Sequence, residues 1–308
     1  MLEKKNEKVC AVLVTYNRKE LLNECLTALF SQTRPFDGII IIDNASTDGT
    51  EDILKKIYQS NSVVEHIRLE KNIGGAGGFY NGIKRGYEKQ YDWILCVEDE
   101  IKLSPDCLEK LLNHIYMIKE KTGCEPFCLS CQRIYYDGKP VMDDCQKLNL
   151  TNPFLNFHRN PIKKNDRQKD YLTIEGATFE GLFIHRSIIK KVGFPDKRFF
   201  IYGDDTDYCL RIRQITNIYY IPEAKVVKLI KPEKQKNVGW KRYYIIRNTL
   251  YLELRYSTTI VKLIRIPKRV IIAFGGRIVH IDLTGIKTIF KGMIDSFKMY
   301  RLDYNYFA

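Results

Sequence analysis

The stretch Asp92-Trp93-Ile94-Leu95-Cys96-Val97-Glu98-Asp99-Glu100-Ile101 sets three consecutive acids directly after an apolar run. Trp93 to Val97 is short and apolar throughout, the pattern of a buried strand, so Glu98, Asp99 and Glu100 fall at its carboxyl end. Adjacent carboxylates repel one another unless a cation lies close. At the strand ends of an open α/β sheet, where ligands collect, a divalent metal carrying a phosphate meets that need; a solvated acidic turn is the alternative. A second acidic group, Asp204-Asp205-Thr206-Asp207, follows the aromatic run Phe199-Phe200-Ile201-Tyr202-Gly203 and opens a helix backed by Leu210, Ile212 and Ile215. Carboxylates at a helix start suit its dipole, either as caps or as a general base.

The elements that must position these acids alternate in type. Val9 to Thr15 reads as a buried strand, followed by Leu21, Leu22, Cys25, Leu26, Leu29 and Phe30 at helical spacing. Gly38 to Ile42 is a second strand that stops at Asp43 before the turn-rich Asn44-Ala45-Ser46-Thr47-Asp48-Gly49-Thr50, and a helix begins near Asp52. Val63 to Leu69 is a third strand, running into Asn72-Ile73-Gly74-Gly75-Ala76-Gly77-Gly78, with a helix expected from about Phe79 to Tyr87. Strands alternating with helices predict a mostly parallel sheet with Asp43, the glycine run and the three acids at one edge. The glycines match neither the P-loop nor the dinucleotide spacing. They leave open a backbone that approaches a ligand at a helix amino end, or a flexible turn. Glu175 to Ile184 reads as a strand with small residues, and 137–170, broken by Pro140, Pro153 and Pro161, as a long loop.

Composition narrows the class. The 308 residues are 44% hydrophobic, enough for one large domain or a domain with an appended module. No apolar run approaches the ~20 residues of a membrane span, and Met1 to Glu7 lacks the apolar region of a secretory signal, so a cytoplasmic protein is expected. Nine cysteines, scattered through strands and helices, suit reduced thiols. Cys124, Cys128, Cys131 and Cys145 contain one C-x-x-C but no second close pair, which argues against zinc. The net charge of +13 is localised: residues 1–224 hold 32 Lys and Arg against 32 Asp and Glu, and 225–308 hold 18 against 5. In this tail, basic residues flank apolar side chains at helical spacing. Lys262, Arg265, Lys268 and Arg269 precede Val270-Ile271-Ile272-Ala273-Phe274, and Ile286, Ile289, Phe290, Met293, Ile294, Phe297 and Tyr300 recur beside Lys287, Lys291, Lys298 and Arg301. That pattern favours an anionic inner-membrane surface over nucleic acid, with packing on the preceding domain as the alternative.

Four ordered motifs, Val14-Thr15-Tyr16-Asn17-Arg18, Ile42 to Thr50, Asn72 to Phe79 and the acid triplet after a buried strand, together resemble family 2 glycosyltransferases of the GT-A fold. The glycine run is most similar to that of bacterial rhamnosyltransferases and galactofuranosyltransferases of surface polysaccharide (capsule or O-antigen) synthesis. Trp240-Lys241-Arg242-Tyr243-Tyr244-Ile245-Ile246-Arg247-Asn248 resembles the same enzymes, whose likeness covers about residues 9–250. The resemblance implies a Rossmann-like α/β domain over 1–250, with a donor half of about 1–102 and an acceptor half of about 103–250, and a basic helical region over 251–308. It implies an inverting transfer from a nucleotide-diphosphate sugar, of the UDP-galactofuranose or dTDP-rhamnose type, to a lipid-linked or oligosaccharide acceptor.

Residue by residue, the resemblance gives Asp43 to the nucleotide base. It gives Thr15, Tyr16, Arg18, Asn72, Gly74, Gly75 and Asp99 to the nucleotide or diphosphate, and Glu98 and Glu100 to a divalent metal, Mn or Mg. Asp205 becomes the general base, Asp204 stands where Glu is usual, and Asp207 is a supporting acid. Two positions depart from the family: glutamates replace the usual aspartates at 98 and 100, and Val226-Val227-Lys228 stands where a metal-binding His is common. A charged lysine has no lone pair to donate. The expectation is therefore a weakly held or dispensable metal: either Lys228 takes part of its role on the donor side by neutralising the leaving diphosphate, or the two glutamates and the phosphates hold the metal alone. A catalytically silent nucleotide-sugar binder or assembly partner is the alternative, and a homo-oligomer is left open.

Overall fold

The structure, a computed structural model, describes residues 7–141, 147–159, 161–230, 239–278 and 282–307. The strands are β1 (Val9–Thr15), β2 (Gly38–Asp43), β3 (Val64–Arg68), β4 (Trp93–Glu98), β5 (Ile101–Leu103), β6 (Cys128–Tyr135), β7 (Lys147–Leu148), β8 (His158–Arg159), β9 (Leu172–Ile174), β10 (Leu182–His185) and β11 (Ile218–Lys228). The α-helices are α1 (Lys19–Phe30), α2 (Thr50–Ser60), α3 (Gly74–Glu88), α4 (Cys107–Thr122), α5 (Arg186–Val192), α6 (Asp204–Arg213), α7 (Lys241–Tyr256), α8 (Thr259–Ile278) and α9 (Leu283–Phe307).

The described chain forms two compact units. The first holds 7–141, 161–198 and 205–230; the second holds 147–159, 199–204 and the helices from α7 onward. The main sheet has the order β3-β2-β1-β4-β10-β6-β11-β5, with β9 also on β11. β3, β2, β1 and β4 are mutually parallel, whereas β10 runs antiparallel to both β4 and β6. Alternate residues of β1 serve opposite faces, as strand geometry requires. Val9, Ala11 and Leu13 pack with α1, α2 and α4, while Cys10, Val12 and Val14 pack with α3, α5 and α6. Because β1, β2 and β4 share one direction, their carboxyl ends share one edge. Their register sets Thr15 beside Asp43, and Val14 beside Glu98.

Three local expectations change. The glycine run is not a loop before a helix but the first turns of α3. A Cβ on Gly78 would lie 2.4 Å from Val14 Cγ1, and one on Gly82 2.2 Å from Val12 Cγ1, so these glycines bring α3 close to the sheet rather than to a ligand. The expected strand from Glu175 to Ile184 is confined to β10, because Gly181 takes φ +109° and ends it. Within 137–170 lies the two-stranded β7-β8 sheet, which belongs to the second unit. Cys128 and Cys131, three apart on a strand, serve opposite sheet faces, and Cys131 Sγ sits 3.6 Å from Cys107 Sγ. That geometry excludes a shared zinc for the C-x-x-C pair; Cys145 lies outside the described residues.

In the second unit, Leu250, Leu254 and Ile266 form a small core joined by Ile246, Val270, Met293 and Tyr300. Asn248 in α7 donates to the carbonyls of Phe199 (3.0 Å), Ile201 (2.7 Å) and Tyr202 (2.7 Å), and Arg247 donates to Phe199 O at 2.8 Å. These bonds hold a segment in which Phe200 and Tyr202 both adopt positive φ, a conformation that costs about 1–3 kcal/mol per residue. The Arg-Asn pair of the α7 motif thus secures the backbone that leads directly into Asp204 and Asp205.

The helix-to-sheet approach is testable. Gly82→Ala should lower unfolding stability by about 1–3 kcal/mol through overpacking, measured by urea denaturation, while Gly75→Ala, with nothing within 4 Å of its added methyl, should not. Equal midpoints for the two variants would contradict the packing of α3 on β1.

Candidate active site

The carboxyl edge of β1, β2 and β4 gathers polar side chains that the apolar strands push out of the core. Asp99 follows β4 and is buried. It accepts from Thr15 Oγ1 at 2.7 Å and Tyr16 N at 3.3 Å, and pairs with Arg18 at 3.0 Å. Burial pushes the Asp99 carboxyl above its usual range, against the pull of Arg18 and Thr15. Arg18 also pairs with Glu100. The loops after β1 and β2 are stitched together: Asn17 N donates to Ser46 Oγ at 2.9 Å, and Thr47 N donates to Asn17 Oδ1 at 2.7 Å. Asp43 is fully buried and accepts from Ser46 N at 2.8 Å and from Arg68 at 2.8 Å. Asn72 accepts from Gly74 N at 2.8 Å, fixing the entry to α3.

The centre of the site is a charge network that includes a residue the sequence did not single out. Glu98, Glu100 and Glu180 present carboxylate oxygens within 4.8 Å of one another. Lys228 Nζ lies 2.8 Å from Glu100 Oε1 and 2.6 Å from Glu180 Oε1, and Arg133 pairs with the other oxygen of Glu180. Register explains the assembly. β5 pairs antiparallel with β11, which places Lys228 beside Ile101 and hence against Glu100. Gly181 N donates to Cys96 O and Cys131 N donates to Gly181 O, so the preceding Glu180 falls between the ends of β4 and β6. Lys228 and Arg133 hold the Glu180 carboxyl well below its usual range despite its burial. Burial together with Glu180 and Glu100 drives the Glu98 carboxyl up. Glu98 has no side-chain hydrogen bond or ion pair among the described residues.

Four carboxylates, Glu98, Asp99, Glu100 and Glu180, thus face three cations, Arg18, Arg133 and Lys228. Glu98 is the uncompensated member. Oxygen donors at this spacing suit a hard divalent cation, so the residues fit one, held by Glu98 with Glu100 and Glu180. Lys228 occupies two of those three carboxylates and competes for them.

Asp205, the second residue of α6, is half-buried and accepts from Thr206 N at 2.6 Å and Thr206 Oγ1 at 3.2 Å. Burial raises its carboxyl above the usual range, although the Thr206 bonds and the charge of Arg133 oppose this; Glu180 adds to the rise. Asp207 is buried and braced by Arg211 at 2.9 Å, which also donates to Val192 O and Phe194 O. Asp204 is buried at the first position of α6.

A parallel sheet edge bearing an acid cluster, with the half-buried Asp205 near the start of α6, is a layout suited to binding a nucleotide diphosphate. A family model, "Glycosyl transferase family 2", matches residues 10–193, and the chain belongs to that family. It is 27% identical over 209 residues to the galactofuranosyltransferase GlfT1 of Mycolicibacterium smegmatis, covering 67% of this chain and 65% of that protein. The chain thus spans just under two thirds of that relative's length. It is 27% identical over 265 residues to the dTDP-rhamnosyl transferase RfbF of Shigella flexneri, covering 80% of each. Among solved structures it is similar to GalNAc-T7 "with UDP, GalNAc and Mn2+" (TM-score 0.59, 15% identity, 85% of this chain and 54% of that one). It is also similar to S. aureus TarS 1–349 with UDP (TM-score 0.55, 14% identity, 86% and 70%). These likenesses establish the GT-A fold.

If Lys228 competes with a metal, Lys228→Met should be less stable than the parent in EDTA and gain more in Tm on adding Mn2+. An equal or smaller Mn2+ shift in Lys228→Met would contradict the competition.

Proposed function

We propose that the protein is an inverting glycosyltransferase that moves a sugar from a nucleotide-diphosphate donor to a glycan hydroxyl. The observation that carries this reading is the cluster of Glu98, Glu100 and Glu180, bridged by Lys228 at the carboxyl edge of a family 2 sheet, a site fitted for diphosphate. Asp205 takes the proton from the acceptor hydroxyl as its oxygen bonds to the anomeric carbon, and the bond from that carbon to the diphosphate oxygen breaks on the opposite face. Arg18 and Lys228 meet the charge on the departing diphosphate. Thr15 and Tyr16 hold Asp99, and so position Arg18, while Asp43, Asn72, Gly74 and Gly75 form the nucleotide side. A divalent metal bound by Glu98 and Glu100, with Glu180, would supply further neutralisation of diphosphate. With the seven charged groups ionised, the cluster carries one net negative charge, and a dication reverses that sign. Asp204 and Asp207 set the helix start rather than exchange protons.

The donor is of the UDP-galactofuranose or dTDP-rhamnose type, and the acceptor is a lipid-linked glycan of surface polysaccharide synthesis. Support comes from the relatives above and from the basic helical region. Among the described residues no helix is long and apolar enough to cross a membrane. α8 nevertheless exposes Ile260, Leu263, Ile264, Ile271 and Ile272, and α9 exposes Phe290, Ile294 and Phe297 among lysines. Side chains of this kind seat a helix in a membrane interface, with about 1 kcal/mol from each nearby cation on anionic lipid. The protein then works peripherally on the cytoplasmic face.

Asp205→Asn should reduce turnover about 10²- to 10⁴-fold while donor binding, measured calorimetrically, stays unchanged. Turnover at the parental rate would remove Asp205 as base, and absence of turnover in the parent with retained donor binding would favour a silent binder. Because only ionised Asp205 accepts a proton and its carboxyl is raised, the acid limb of kcat/KM should lie above the ordinary aspartate value of about 3.9. An acid limb at or below that value would contradict the assignment.

A further inference from the structure

The helical unit holds a cavity of about 520 Å³ that is open to solvent on one side, within the roughly 300–1,000 Å³ of small-molecule sites. Apart from the buried Arg265, its buried lining is apolar, with Leu250 and Ile289 almost inaccessible and Ile246 and Met293 beside them. Phe154 and Ile272, both largely exposed, line it where it meets solvent. Every charged side chain in the lining is cationic: Arg242, Arg265, Lys268 and Arg269.

These cations are unequally neutralised. Glu253, fully buried, pairs with both Arg265 (2.9 Å) and Arg269 (3.0 Å), so one carboxylate serves two guanidiniums. Arg265 is further committed to the carbonyls of Leu155 and Asn149. Arg269 Nε is buried without a hydrogen-bond partner. Arg242 and Lys268 have no carboxylate partner among the described residues. An apolar chamber whose surplus charge is positive complements one chemistry, a hydrocarbon chain ending in phosphate. A neutral glycan would leave both features unmatched, and an apolar protein segment would leave the charge unmatched.

We propose that this cavity binds the chain of a phosphate-bearing lipid, with the phosphate on Arg242, Lys268 and Arg269. Guanidinium groups take phosphate oxygens in pairs, and the apolar lining removes the chain from water. This deepens the reading of a lipid-borne acceptor, on which it rests, by giving the lipid its own site in the helical unit.

The test is calorimetry on the full chain with farnesyl phosphate below its aggregation limit, farnesol, and inorganic phosphate. Farnesyl phosphate should bind at least tenfold more tightly than either control. The double variant Arg242→Glu/Lys268→Glu should lose at least tenfold for farnesyl phosphate while keeping farnesol, and Ala273→Trp, which fills the cavity, should lose both. UDP or dTDP binding, unchanged in each variant, reports an intact donor unit and separates failure of this site from failure of the transfer reading. No binding of farnesyl phosphate, equal binding by the parent and the charge-reversed variant, or inorganic phosphate binding as tightly would overturn the proposal. So would a dimer of the parent that Ala273→Trp converts to monomer, since a second copy would then be the occupant.

Discussion

The interaction on which the site depends is the bridge that Lys228 makes between Glu100 and Glu180. Without a cation, three carboxylates this close would repel one another and favour protonation of at least one of them. Lys228 and Arg133 keep Glu180 charged, and the remaining strain falls on Glu98. A buried pair of this kind is weak evidence for stability, because desolvation offsets much of its attraction. Its value here is positional: it ties the ends of β4, β5 and β11 into one charged surface where a diphosphate can lie.

The same bridge accounts for the two departures from the family pattern as one change. A longer acid at 100 reaches Lys228, and Lys228 stands where a metal-binding histidine would be expected. The ammonium supplies permanently part of the positive charge that a metal would otherwise bring. On the proposed reading, a divalent ion would meet a partly satisfied site and would be held through the uncompensated Glu98, so that weak metal binding would follow from competition rather than from missing ligands.

Much of this was legible in the sequence because it is local. A buried strand ending in acids fixes where Glu98, Asp99 and Glu100 emerge, and the β-α alternation places Thr15 and Asp43 at the same edge. Glu180 and Arg133 were not legible, since their roles arise from register across β4, β10 and β6. The available signal was a lone acid in the apolar run Phe179 to Ile184, followed by glycine. The glycines of α3 misled for a related reason, because composition cannot say whether a small residue admits a ligand or a neighbouring strand. Among the tail cations, Arg265 is nearly buried and engaged by Glu253, which charge patterning alone could not reveal.

The most direct measurement of the central claim is calorimetric binding of UDP and dTDP in EDTA and in saturating Mn2+. The account predicts that the preferred nucleotide binds measurably in EDTA, through Arg18 and Lys228, and about tenfold or more tightly with Mn2+. Identical affinity in the two conditions, or no binding at all in EDTA, would contradict a site that carries its own cation and accepts a metal beside it.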